Sequence, residues 1–255
     1  MPEVVLVILL SLIAGFAMPF GACLAFFDLK RPNVLSDEWR HFIVAFGGGA
    51  LISAVALVLV PDGSAKMSST SAVFAFISGG VAFCLLDIYL SRLKSSMGQL
   101  VAMLSDFIPE AIVLGAAFAA GENTGLLIAG LIILQNIPEG FNAFEELAVH
   151  LSSKRKILLM FIALAFTGPV AALTGYFVLT EDHALMGGIM LFASGGILYL
   201  VFEDVAPQAK LDKHWVPALG AIFGFGLSIS IEYFDNTVKS IEYIEISISH
   251  LDLRS

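Results

Sequence analysis

Residues 100–150 read LVAMLSDFIPEAIVLGAAFAAGENTGLLIAGLIILQNIPEGFNAFEELAVH. Two long apolar segments flank the short polar turn at residues 121–125, which has the sequence GENTG. A helix needs about 20 mostly apolar residues to cross the hydrocarbon core of a bilayer. This stretch therefore predicts two membrane-spanning helices, over residues 100–120 and 124–148, joined by a tight turn.

Each of these two spans carries the same kind of polar motif in its interior. The first reads SDFIPE over residues 105–110, and the second reads QNIPEG over residues 135–140. Asp106 and Glu110 are four residues apart and so share one helix face. Each proline lacks an N–H and leaves a backbone carbonyl without its helical partner. Because the two glutamates lie at similar distances from the turn, we expect them at similar depth.

Outside this stretch the chain is equally apolar. It is 58% hydrophobic and 14% charged, with a mean hydropathy of +0.91, whereas soluble domains have roughly 25% charged residues. Further candidate spans are residues 4–27, 41–60, 73–90, 157–179, 185–205 and 215–233. We predict an all-α polytopic membrane protein, an eight-transmembrane-helix bundle that forms one domain over residues 1–234. Residues 235–255 form a polar tail. The net charge of −9 argues against a nucleic-acid partner.

The basic residues predict the orientation of these spans. Cytoplasmic loops carry an excess of lysine and arginine, and the odd-numbered loops hold ten of the 13 basic residues. The ten are Lys30, Arg31, Arg40, Arg92, Lys94, Lys154, Arg155, Lys156, Lys210 and Lys213. Both termini are therefore expected outside the cytoplasm in a multi-pass protein of the cell membrane. The short loops also predict that consecutive helices pack as antiparallel neighbours.

The acids inside spans 4 and 5 indicate a function. Ionisable residues at membrane depth are costly and are functional candidates by default, and the span interiors contain no lysine or arginine to pair with them. Matching Pro-Glu motifs favour the handling of a metal ion or a proton over simple helix kinks. Asn142, Glu146 and His150 continue from Glu139 along one face of span 5. They form a possible exit path for a cation, or an ordinary helix end in water.

These motifs resemble the ZIP family of divalent-metal transporters. Span 2, from FGGG at residues 46–49 to VPD at 60–62, and span 7, from GGILY at 195–199 to FEDVAP at 202–207, are also similar to that family. The resemblance implies eight spans with both termini outside, and transport by movement of one helix bundle against another. It places a metal site on Asp106, Glu110, Gln135, Asn136 and Glu139, with Glu110 and Glu139 as bridging ligands.

Departures from the family pattern predict the choice of metal. Asp106 and Gln135 replace the usual histidines of spans 4 and 5, Val58 replaces a span-2 histidine, and Gly168 replaces a span-6 glutamate that supports a second metal. The predicted ligands are therefore oxygen atoms. Imidazole suits zinc, whereas carboxylate and carbonyl oxygens suit harder ions. We expect a preference shifted from zinc toward manganese, ferrous iron or a broad range.

Two other functions stay open at this stage. One is an intramembrane metallohydrolase, which needs a metal-bound water and a general base, and the other is a non-transporting sensor or scaffold. The lead interpretation is a transporter that is not an enzyme and has no resident cofactor, only the transported divalent metal. Glycine-rich stretches such as residues 47–49 permit close helix contacts within one chain or in a homodimer.

Overall fold

The computed structural model describes residues 2–30, 36–92, 98–119, 124–179, 182–212, 215–231 and 233. Over these residues the regular structure is entirely helical, which confirms the all-α prediction. The helices are α1 Glu3–Lys30, α2 Asp37–Ala65, α3 Ser69–Arg92, α4 Gly98–Ala119, α5 Thr124–His150, α6 Lys154–Val178, α7 His183–Ala209 and α8 Val216–Ile231. The predicted polar tail lies outside the described residues.

Length and composition fit a protein that crosses a membrane several times. Within the described residues, α1, α2, α3, α5, α6 and α7 are each long and apolar enough to do so, and α8 is a shorter apolar helix. Large apolar side chains such as Phe27, Phe74 and Phe177 are 64%, 75% and 69% exposed. Such a surface suits contact with lipid. An integral membrane protein is supported, and the number of crossings stays a prediction.

Two helices extend past their predicted ends through a π-helical turn. α2 contains such a turn at Val55–Leu59 and continues to Ala65, so the predicted end at residue 60 is wrong. α7 contains one at Val201–Val205 and continues to Ala209. A proline follows each turn, at Pro61 and Pro207, in the first turn of the continuing helix. Because the helix continues through each proline, which has no N–H, one carbonyl of the preceding turn is left without its helical partner.

The principal packing partners are not consecutive helices. α1 packs most extensively on α5, α3 on α7, and α4 on α6. Of the consecutive helices, α4 and α5 pack on each other as predicted, whereas α1 and α2 make little contact over the described residues, so the prediction is wrong for that pair. Short loops fix which helices can be close along the chain, but the distribution of small residues decides which surfaces meet.

Glycines bring α1, α4, α5 and α6 into contact at backbone distance, and we call these the first helix group. A Cβ atom on Gly140 of α5 would lie 2.9 Å from the carbonyl carbon of Met18 in α1. A Cβ atom on Gly175 of α6 would lie 2.8 Å from the carbonyl carbon of Ile112 in α4. Both distances are below the 3.4 Å of ordinary contact, so these positions admit only glycine without a shift of the backbone.

The remaining helices α2, α3, α7 and α8 form a second helix group, in which glycines again contact the backbone of a neighbouring helix. A Cβ atom on Gly49 of α2 would lie 2.7 Å from the carbonyl carbon of Ala221 in α8. A Cβ atom on Gly195 of α7 would lie 2.9 Å from the carbonyl carbon of Phe76 in α3. The glycine-rich stretches of α2 and α7 are thus used for contacts within the chain.

The boundary between the two groups is packed differently. Gly47 of α2 faces the ring of Pro138 in α5, where an added Cβ would lie 2.8 Å from Cγ, so a side chain and not a backbone fills the space. An apolar groove of about 920 Å³ also opens between α1, α5 and α2, with Leu24, Phe46 and Phe141 among its lining residues. The groups are therefore joined less tightly here than the helices within each group.

Candidate metal site between α4 and α5

The two Pro-Glu motifs lie on adjacent helices of the first group. α4 runs without a break through Pro109, and α5 through Pro138. Each helix loses one backbone hydrogen bond at its proline, while the apolar residues on both sides keep the helix continuous. The motifs therefore sit in the middle of two packed helices and not at their ends.

The predicted ligands point into the protein and away from the lipid. Asp106 is 3% exposed, Glu110 2%, Gln135 1% and Asn136 0%. Glu139 is half-buried as a residue, but both of its carboxylate oxygens are buried. Burial of five polar side chains in an apolar bundle is costly unless each finds a partner.

Two hydrogen bonds fix the orientation of the amides. Gln135 Nε2 donates to Glu110 Oε2, which joins the α5 motif directly to the α4 motif. Asn136 Nδ2 donates to the backbone oxygen of Ala14 in α1 at 2.9 Å. Since the nitrogen of each amide is used in this way, the amide oxygen of each is left to face other groups.

The oxygens that remain have no donor among the described residues. Buried atoms of this kind are Asp106 Oδ1, Gln135 Oε1, Asn136 Oδ1 and both carboxylate oxygens of Glu139. Native structures leave few buried polar atoms unsatisfied, and such atoms commonly mark the place of an ion or water. All of these atoms are acceptors, so the group that would satisfy them is a cation or a hydrogen-bond donor.

The carboxylates of this site also act on one another. In their ionised forms, Asp106 would be repelled by Glu139, Glu110 and Asp204 of α7. Ionised Glu139 would likewise be repelled by Glu110. In a medium of low dielectric constant this repulsion is strong. A divalent cation would convert it into attraction.

The carboxylates are not gathered into a ready-made cage. Across the described ranges, no group of three or more His, Cys, Asp or Glu residues is placed to hold a metal ion. Gln135 and Asn136 are amides, so only three of the five predicted ligands could be members of such a group. Binding of one ion by all three carboxylates would therefore require movement of their side chains.

Gly168 of α6 lies in close contact with α1 and α4. A Cβ atom on Gly168 would lie 2.7 Å from Phe107 Cζ and 2.7 Å from the backbone oxygen of Ser11. No side chain fits there without displacing α1 or α4. Phe107 and the α1 backbone thus occupy the space that a side chain at position 168 would need.

The predicted exit path coincides in part with a cavity. Asn142 and Glu146 line a space of about 460 Å³ together with Arg40 and Glu145. His150 is exposed at the end of α5 and is not part of that lining. The structure therefore brings Asn142 and Glu146 together but leaves His150 apart.

Sequence reasoning missed a buried ion-pair system beside this cavity. Arg40 of α2 pairs with Asp28 of α1 and Glu145 of α5. Arg40 and Asp28 lie at opposite ends of the first predicted loop. Charged residues in such a loop are normally interpreted as facing water. The available signal was a second acid beside the polar stripe of span 5, since Glu145 adjoins Glu146.

Comparison with protein-family models and with curated proteins found no match to this sequence. The functional assignment therefore rests on the arrangement of the residues themselves.

Proposed function

We propose that this chain is a membrane transporter for divalent metal cations, with eight crossings, both termini outside the cytoplasm, and an organisation similar to the ZIP family. The observation that carries the proposal is the set of buried, unsatisfied oxygens on Asp106, Gln135, Asn136 and Glu139. These oxygens belong to residues of two adjacent helices, and the described span interiors offer them no lysine or arginine.

The chemistry of the donors favours a hard divalent ion. Carboxylate and amide oxygens are the ligands that manganese, magnesium and calcium prefer, whereas imidazole and thiolate favour zinc. Glu110, Asp106 and Glu139 supply the negative charge, and Gln135 and Asn136 supply neutral oxygens. We expect manganese or ferrous iron to be moved in preference to zinc.

The two helix groups supply a route to alternating access. The five ligands all lie on α4 and α5, so the site belongs entirely to the first group. That group is tightly joined internally through glycines, and it meets the second group across a boundary of side chains and open grooves. A shift of the first group against the second would carry the bound ion without dismantling its ligands.

Uptake into liposomes tests the proposal. The purified protein is reconstituted, and entry of manganese, iron and zinc is measured for the wild type and for Glu110→Ala. We expect uptake by the wild type and loss of at least tenfold in the variant, because removal of Glu110 also releases Gln135. Glu3→Gln removes an exposed carboxylate at the start of α1 and serves as the matched control, with unchanged uptake.

Four results would contradict the proposal. Undiminished uptake by Glu110→Ala would refute the site, and a strong preference for zinc over manganese would refute the selectivity. Metal binding without uptake would favour a sensor or scaffold. Hydrolysis of a lipid or peptide that is lost on substitution of Glu139 would favour an intramembrane metallohydrolase.

A further inference from the structure

A charged contact crosses the boundary between the two helix groups. Arg40 belongs to α2 of the second group, and its two partners, Asp28 and Glu145, belong to α1 and α5 of the first. Nη2 of the guanidinium pairs with Asp28, and Nη1 pairs with Glu145. One side chain thus ties one group to two separate helices of the other.

The guanidinium group is suited to this double contact. Its planar fork presents several N–H donors in fixed directions, so it can hold two carboxylates at once, whereas the ammonium of lysine is a single point of charge. The bond to Glu145 Oε1 is a charge-assisted hydrogen bond. The contact is therefore specific in direction as well as in charge.

The two partners differ in their access to water. The side chain of Asp28 is 2% exposed, that of Glu145 is 25% exposed, and that of Arg40 is 27% exposed. A carboxylate that loses its partner while buried is strongly penalised, whereas one at a wet surface can be hydrated. Separation of Arg40 from Glu145 is therefore the easier step, and it comes first.

The contact lies at the mouth of the polar cavity. Arg40 and Glu145 line the same space of about 460 Å³ as Asn142 and Glu146, at the end of α5 that leads away from the buried ligands. The Arg40 guanidinium therefore lies beside Asn142 and Glu146, two residues of the predicted exit path, and it adds a positive charge to the cavity that they line.

We propose that Arg40 is an ionic latch that closes this cavity by tying the second helix group to α1 and α5, and that it must release Glu145 before the groups can shift. The functional part of this inference rests on the proposed transport. The latch itself is a property of the resting structure and is measurable without any metal.

Cysteine labelling measures the latch directly. The native Cys23 and Cys84 are replaced by serine, and Val44→Cys is introduced, because Val44 lines the cavity and is only 9% exposed. The rate of reaction with a hydrophilic maleimide is measured in detergent without divalent metal. The rate reports how often the boundary opens far enough for the reagent to enter.

Three variants are expected to speed labelling, and one is not. We expect Arg40→Gln and Glu145→Gln to raise the rate at least fivefold, and Arg40→Lys to give an intermediate rate. Lys30→Gln is the matched control, since Lys30 carries the same charge near the end of α1 but stacks over the Phe26 ring at 4.2 Å. Its rate should equal that of the parent.

Each outcome bears on the inference. Should Arg40→Gln not fold, Glu145→Gln still tests the latch, because it leaves the pair between Arg40 and Asp28 in place. Equal rates for Glu145→Gln and the parent would overturn the latch, as would an equal rise in Lys30→Gln. Faster labelling in a protein that takes up no metal would support the latch and refute the proposed transport.

Discussion

Replacement of Gly140 by alanine should loosen the first helix group beside the candidate site. The new Cβ would lie 2.9 Å from the carbonyl carbon and from the Cα atom of Met18. Relief to the ordinary contact distance of 3.4 Å moves α1 from α5 by at least 0.5 Å, the difference between the two values. Overpacking of this kind costs about 1–3 kcal/mol.

The same shift should weaken metal binding. α1 carries Ala14, whose carbonyl orients Asn136 through a hydrogen bond of 2.9 Å. A displacement of 0.5 Å stretches that bond to about 3.4 Å, beyond the usual range of roughly 2.7–3.2 Å. Metal sites tolerate errors of only about 0.2 Å in ligand distance, so manganese affinity should fall together with stability.

Gly226→Ala supplies the control, because a Cβ on Gly226 of α8 meets no atom of the described residues within 4 Å. Both substitutions exchange glycine for alanine inside a helix, so the intrinsic gain of roughly 0.5–1 kcal/mol cancels between them. We expect Gly140→Ala to be less stable than Gly226→Ala by about 1–3 kcal/mol in equilibrium unfolding in mixed micelles. A difference within about 0.5 kcal/mol would refute the reasoning from close backbone packing.

Further substitutions test the ligands and the boundary. Gln135→His should raise the preference for zinc over manganese by roughly tenfold in competition binding. An unchanged ratio of zinc to manganese affinity would show that residue 135 is not a metal ligand. Asn136→Leu should cost about 0.5–1.5 kcal/mol of unfolding free energy, because the side-chain hydrogen bond from α5 to α1 is lost. It should also lower manganese affinity roughly 10–100-fold in calorimetry. Retained affinity would remove it from the ligand set. Gly47→Ala should slow uptake without changing affinity, since its Cβ meets Pro138 at the group boundary; Gly188→Ala, with only an ordinary contact at 3.7 Å, should match the wild type, and equal uptake by both would contradict a moving boundary.

The helical class and the approximate helix positions could be predicted from sequence because a bilayer imposes a minimum apolar length. The span predicted at residues 124–148 is observed as Thr124–His150. The inward position of Asp106 and Glu110 also followed from the cost of placing acids in lipid. These are local or compositional signals, and a single sequence carries them fully.

The sequence carries no comparable signal for contacts between residues that lie far apart along the chain. The bond from Asn136 to Ala14 joins residues 122 positions apart, and the bond from Arg40 to Glu145 joins residues 105 positions apart. Nothing in the spacing of α1 indicated that it would pack on α5. The division into two helix groups likewise depends on which glycine faces which backbone, and that emerges only when the helices are assembled.

A structure determined with manganese present tests the central claim most directly. Our account predicts manganese density between α4 and α5, within the metal–oxygen range of about 2.0–2.6 Å from oxygens of Asp106, Glu110 and Glu139 and of at least one amide. The signal should vanish in Glu139→Ala. Manganese bound elsewhere in the chain, or Glu110 and Glu139 turned away from a shared ion, would contradict the account.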